Sequence, residues 1–105
     1  MSENNRKNIP WTEEEYLLAL IVYHDLKRCG EAISASNSKI IALSQLLQTL
    51  DIHPQSERGD HFREPDGVRS RISYFKRMDE GCIFDDRNLQ YSVWKKWKYM
   101  NESKL

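Results

Sequence analysis

The sequence predicts an all-α domain of about four helices with a helix-turn-helix-like core. Apolar residues recur at helical spacing in four separate stretches, and capping chemistry brackets the first of them. Segments rich in Pro, Gly, Ser and Asp lie between. With 105 residues the chain has room for one such core and not two.

Residues Met1 to Ile9 are polar and aperiodic and are read as a tail, so the fold begins at Pro10. Thr12 with Glu15 three residues on forms a capping box, in which each side chain satisfies the other's free backbone amide. Trp11 ahead of the cap and Tyr16 inside the helix form a hydrophobic staple. Glu13, Glu14 and Glu15 match the positive helix end. This helix should reach about Cys29, with Lys27 and Arg28 at its negative end and Gly30 as its stop.

A Ser- and Ala-rich linker from Glu31 to Asn37 leads into a second helix, capped by Asn37 or Ser38. Its apolar positions are Ile40, Ile41, Leu43, Leu46, Leu47 and Leu50. It should end near Asp51, because Pro54 cannot continue a helix. The segment His53 to Gly67 reads as a loop anchored by Phe62. Asp66 then caps a third helix running from Val68 to about Met78. At 100° per residue, Val68, Ile72 and Phe75 fall on one side of it. Arg69, Ser70, Ser73, Lys76 and Arg77 fall opposite. Ile83 and Phe84 should tether a connection to a fourth helix, about Arg87 to Met100. Its buried stripe would be Leu89, Val93, Trp94 and Trp97, and Lys95, Lys96 and Lys98 its solvated side. Residues 101–105 read as a polar tail.

Sixteen basic and sixteen acidic residues give a net charge of zero, so overall charge does not point to nucleic acid. The distribution does: from Arg58 to Lys98 ten Lys or Arg face seven Asp or Glu, leaving that half positive. Cys29 and Cys82 have no CxxC partner and are read as free thiols in a reducing cytoplasm. No apolar run approaches the roughly 18 residues that a membrane span needs, so no membrane partner is expected.

Catalysis has no candidate constellation: no Gly-rich phosphate loop, activated Ser or Cys, or paired carboxylates. No metal or cofactor is expected, since His24, His53 and His61 lack ligand spacing. Asp66 with Glu102-Ser103-Lys104 imitates the carboxylate and lysine set of metal-dependent nucleases, which requires adjacent strands of a rigid sheet. Asp66 reads instead as a helix cap and the other residues as tail, so this is coincidence. The third helix is the strongest functional signal, because a short helix presenting Arg, Lys and Ser can enter a major groove. Arg58 and Arg63 beside it would neutralise phosphates. The aromatic residues Tyr91 and Tyr99 with Lys95 and Lys98 could stack bases, although the spacing of Trp94 and Trp97 is that of a core.

Taken in order, Trp11-Thr12-Glu13-Glu14-Glu15, Ala19-Leu20 with Tyr23, Ile41-Ala42-Leu43-Ser44 with Leu47, and Phe62-Arg63-Glu64-Pro65-Asp66-Gly67-Val68 through Arg71-Ile72 to Phe75 form a pattern. It resembles the N-terminal domain that precedes HNH endonuclease domains in restriction and methylcytosine-specific restriction enzymes. The likeness spans about Pro10 to Met100, with Val93-Trp94 similar to that domain's closing helix. Arg63, Gly67, Val68, Arg71 and Phe75 match the family positions, Arg71 standing where lysine is usual and Glu64 and Asp66 where asparagine is usual. The opening Trp-Thr-Glu-Glu also looks like the start of Myb and SANT helices.

The resemblance implies a non-catalytic module that recognises double-stranded DNA, including modified DNA, for a restriction or defence nuclease. The nuclease would be a further domain or a separate subunit. The expected DNA-contacting set is Arg63, Arg69, Arg71, Ser73, Lys76 and Arg77. The alternative is a protein-interaction module that docks a nuclease, or a second copy of itself, through the Trp-rich last helix. Nothing in the sequence fixes an oligomeric state.

Overall fold

A computed structural model describes residues 9–59, 61–82, 85 and 87–103, with the side chains of 55 and 101–103 left aside. The first helix, α1 (Glu13–Cys29), starts as its capping chemistry dictates. Thr12 Oγ1 accepts from the Glu15 amide at 3.3 Å, and the Thr12 amide donates to Glu15 Oε1 at 2.9 Å. Trp11 stacks on Tyr16 with ring centroids 5.4 Å apart, which fixes the chain's entry angle. At the other end Gly30 takes the left-handed conformation with φ 70°, and its N–H closes onto the Leu26 and Lys27 carbonyls.

Of the two candidate caps for α2 (Ser38–Thr49), Asn37 is the one used, its Oδ1 accepting from the Lys39 amide at 2.8 Å. Leu46 is largely exposed, whereas Ile40, Leu43 and Leu47 are buried.

The third helix departs from expectation at its start: α3 (Pro65–Asp79) begins three residues before Val68, and its N-cap is Glu64 rather than Asp66. Proline explains the difference. At the first helical position its missing N–H costs nothing and its fixed φ suits a helix, so the connecting loop ends before it. Asp66, displaced into the first turn, turns its carboxylate to Arg69 instead.

The last helix, α4 (Leu89–Ser103), begins two residues later than the sequence suggests and extends past Met100 into the expected tail. Asn88 Oδ1 accepts from the Tyr91 amide at 3.2 Å. This register corrects the expected stripe: Leu89 is 45% exposed, while Gln90, Tyr91, Val93 and Trp94 are buried and Trp97 is half-buried. Gln90 is fully buried: its Nε2 donates 2.7 Å to the Arg71 carbonyl on α3, while its Oε1 has no hydrogen-bond partner among the described residues. The expected tether Ile83-Phe84 lies outside the described residues, as do 1–8 of the expected tail.

Among the described residues the fold is four helices and one 3-10 turn, Gln55–Glu57, with no strand. Helix α1 packs against α2, α3 and α4, and α3 also packs against α2 and α4. Ala19, Leu20, Leu26, Ile40, Leu47, Val68, Ile72, Phe75 and Met78 make the sealed centre, with Tyr16 meeting Phe75 edge to face. The connection from α2 to α3 covers residues 50–64, far longer than the turn of about three or four residues in a helix-turn-helix. Arg58 folds it, donating to the carbonyls of Gln48, Leu50 and His53 at 2.6–3.2 Å.

Candidate nucleic-acid interface

Arg63, expected on a phosphate, is an interior residue at 8% exposure. Its Nε donates to Glu15 Oε2 at 2.7 Å and its Nη2 to Glu15 Oε1 at 3.0 Å. The remaining donors reach the carbonyls of Ile9 and Pro10 at 3.1 and 3.3 Å. The guanidinium lies between the Trp11 and Phe62 rings, 4.9 and 4.5 Å from their centroids. Its carbonyl accepts from Ser44 Oγ at 2.6 Å and Gln48 Nε2 at 3.2 Å. With φ 51°, Arg63 is the one described non-glycine residue in the left-handed region, held there by bonds on both its side chain and its backbone. Its donors are consumed inside the protein, which removes it from the expected DNA-contacting set.

Burial works against the Glu15 charge, but hydrogen bonds from Arg63, His53 and the Thr12 amide outweigh it and hold the carboxyl at about 2. His53 Nε2 sits 3.0 Å from Glu15 Oε1 and stacks edge-on against Phe62. The motif around residues 62–68 is therefore a latch that fastens the α2 to α3 connection onto the start of α1.

The outward side of α3 carries what is left of the expected set. Arg69 is half-buried and bonded through Nε and a terminal nitrogen to Asp66 Oδ1, at 3.1 and 3.0 Å. Lys76 is exposed and pairs with Glu80, which holds its ammonium above the usual lysine range. Arg71 lies on the flank toward α4, half-buried, 6.0 Å from the Trp11 ring. Ser70 and Arg77 are exposed and Ser73 is half-buried. Among the described residues, Arg77 meets no carboxylate within ion-pair distance. The set is thus split: Arg69, Ser73 and Arg77 share one outer row, which Ser70 joins from outside the set, Arg71 and Lys76 flank it, and Arg63 is inside.

One flank of that row borders a cleft of about 520 Å³ between α1, the linker and α3. There Asp79 accepts from the Tyr23 hydroxyl at 2.6 Å and from Lys27 at 2.7 Å. Burial pushes the Tyr23 phenol up, and the Asp79 carboxylate adds to it. Glu31 and Glu80 also line this cleft, so its charge is mixed.

On α4, Lys96 reaches Glu13 of α1 at 3.3 Å and Trp97 stacks on His24 at 4.0 Å. Burial lowers the His24 imidazole. Lys98 lies 5.1 Å over the Trp94 ring. Both cysteines are exposed free thiols. Among the described residues no three His, Cys, Asp or Glu converge on a point that could hold a metal, and no helix is long and apolar enough to cross a membrane. Lys104 of the nuclease-like set lies outside the described residues. No family model matches the chain, and no curated protein or solved structure is similar to it.

Proposed function

We propose that the chain is a non-catalytic module that binds double-stranded DNA by laying the outer row of α3 in a major groove. The observation that carries this reading is Arg77: it is exposed, has no acidic partner among the described residues, and stands in line with two small hydroxyl residues. Ser70 and Ser73 let the helix approach closely, and an arginine fork at Arg77 can grip a guanine edge. Arg69 would turn from Asp66 to a phosphate. The resemblance of the 62–75 segment to domains ahead of HNH nucleases links this activity to a restriction or defence nuclease, including one that reads modified DNA.

The test is binding to short duplexes, methylated and unmodified, over a range of salt. The parent should bind more weakly as salt rises, and Arg77→Ala should cost about 1–3 kcal/mol on the preferred sequence alone. Failure of the folded parent to bind any duplex at low salt would sink the proposal.

A second reading, docking to a nuclease or to another copy of the chain, is favoured by Tyr99 and Met100 on α4, at 72% and 54% exposure, and by Ile21 on α1 at 64%. Trp94 and Trp97 point inward, so a docking surface on α4 would be made by those residues and not by its tryptophans. Binding through such an apolar surface would be insensitive to salt.

A further inference from the structure

We infer that the outward strip of α1 is a pairing surface for a second copy of this chain, set antiparallel to the first about a two-fold axis at Ile21. The inference rests on the docking reading above, commits it to one occupant, and stands apart from DNA binding.

The strip is what α1 leaves unburied. At about 100° per residue, Glu14, Leu17, Ile21 and Arg28 fall within an arc of about 60°. Packing bounds it on both sides. On one, Glu13 takes Lys96 of α4 and His24 stacks on Trp97. On the other, Asp25 takes Lys39 of α2, while Leu18 and Val22 lean on the core. Between them Leu17 and Ile21, one turn apart, are 40% and 64% exposed. The helix dipole accounts for an acid near the start and a base near the end. It does not account for two bare aliphatic side chains in the middle.

The two end charges say what covers the strip. Glu14 and Arg28 each stand seven positions from Ile21, which is about 10 Å along the axis in opposite directions. An antiparallel copy centred on Ile21 therefore sets Glu14 against the partner's Arg28 at one end, and repeats the pair at the other. A parallel copy would set like charges side by side. Both groups are available: Glu14 is exposed and makes no ion pair among the described residues. Arg28, its side chain 73% exposed, gives one nitrogen to Asp25 and keeps its other donors. The strip lies roughly 150° around α1 from Tyr16 and Tyr23, which meet Phe75 and Asp79 of α3. Pairing thus leaves the outer row of α3 uncovered. One helix face per copy is at or below the roughly 1,200 Å² where lasting interfaces begin, so the pair is reversible, with a Kd between about 1 µM and 1 mM.

Sedimentation equilibrium of the 105-residue chain across that concentration range should show a monomer passing to a dimer. Ile21→Glu, at an exposed position, should melt like the parent and weaken the dimer by about tenfold or more, because it buries two unpaired carboxylates at the axis. Glu14→Arg and Arg28→Glu, taken singly, each set like charges opposite one another at both ends, and each should stay monomeric where the parent pairs. Mixed one to one they should form a dimer, since one end then holds the native Glu14 and Arg28 and the other the same pair reversed. A role confined to folding would not give that rescue. A parent that stays monomeric at about 1 mM overturns the proposal and leaves docking to a nuclease standing. A dimer that Ile21→Glu leaves intact overturns the α1 strip and leaves docking through Tyr99 and Met100. Single variants that lose the dimer and fail to pair when mixed overturn the antiparallel arrangement.

Discussion

Glu15 and Arg63, 48 positions apart, meet as a buried bidentate ion pair with contacts of 2.7 and 3.0 Å. Glu15 is at once the third residue of a capping box and the floor beneath a guanidinium, so one carboxylate fixes the start of α1 and the latch ahead of α3. Removing one member of such a pair leaves the other charged and dry. Arg63→Ala and Glu15→Ala should each destabilise the fold by about 3–5 kcal/mol, read by chemical denaturation. DNA affinity of the folded fraction should stay near the parent's. A folded, stable Arg63→Ala protein that has lost binding would return Arg63 to the interface.

The same pair gives the fold an acid limit. The Glu15 carboxyl falls from 4.5 to about 2 on folding, so the unfolded chain takes up a proton first as pH drops. Stability from this group is fully present above about pH 4.5 and is lost as pH falls toward 2, in total about 3 kcal/mol. Denaturation midpoints measured from pH 6 downward should show this loss. In Glu15→Gln, already less stable at neutral pH, the acid-dependent part should be much smaller.

The two tryptophans of α4 should differ in weight. Trp94 is 6% exposed, and its replacement by Ala should cost about 3–5 kcal/mol. Trp97 is half-buried against His24, so Trp97→Ala should cost less. Thermal melting of both variants decides the order. A Trp94→Ala protein that melts like the parent but loses a partner would favour the docking reading.

The helices were legible because their signals are local. Thr12 with Glu15, and Gly30, mark the ends of α1 through contacts within one turn. Val68, Ile72 and Phe75 show their burial by spacing alone. What escaped depends on partners far along the chain. Arg63 looks like any surface arginine beside a basic helix, and no local pattern reveals a positive φ or a carboxylate 48 positions away. Gln90 looks polar until α3 supplies the Arg71 carbonyl. The residues that carry the family resemblance follow the same division. Arg63, Val68 and Phe75 are buried, so that motif describes a latch and a core more than a contact surface.

Asp66 and Glu80 bear most directly on how strongly the α3 row can bind. Each stands at one end of the row and pairs with a cation that would otherwise face phosphate, Asp66 with Arg69 and Glu80 with Lys76. Both pairs are exposed and contribute little to stability. Their effect on a polyanion is larger, because each acid both repels phosphate and occupies a donor. Asp66→Asn/Glu80→Gln should therefore leave the melting temperature near the parent's and tighten duplex binding by about twofold to tenfold at low salt, with a steeper salt slope as Arg69 and Lys76 become available. Titrating parent and variant against the same duplex panel checks this. Equal affinity and slope would show that Arg69 and Lys76 do not face the nucleic acid, and would leave Arg77 and the serines as the only part of α3 in contact.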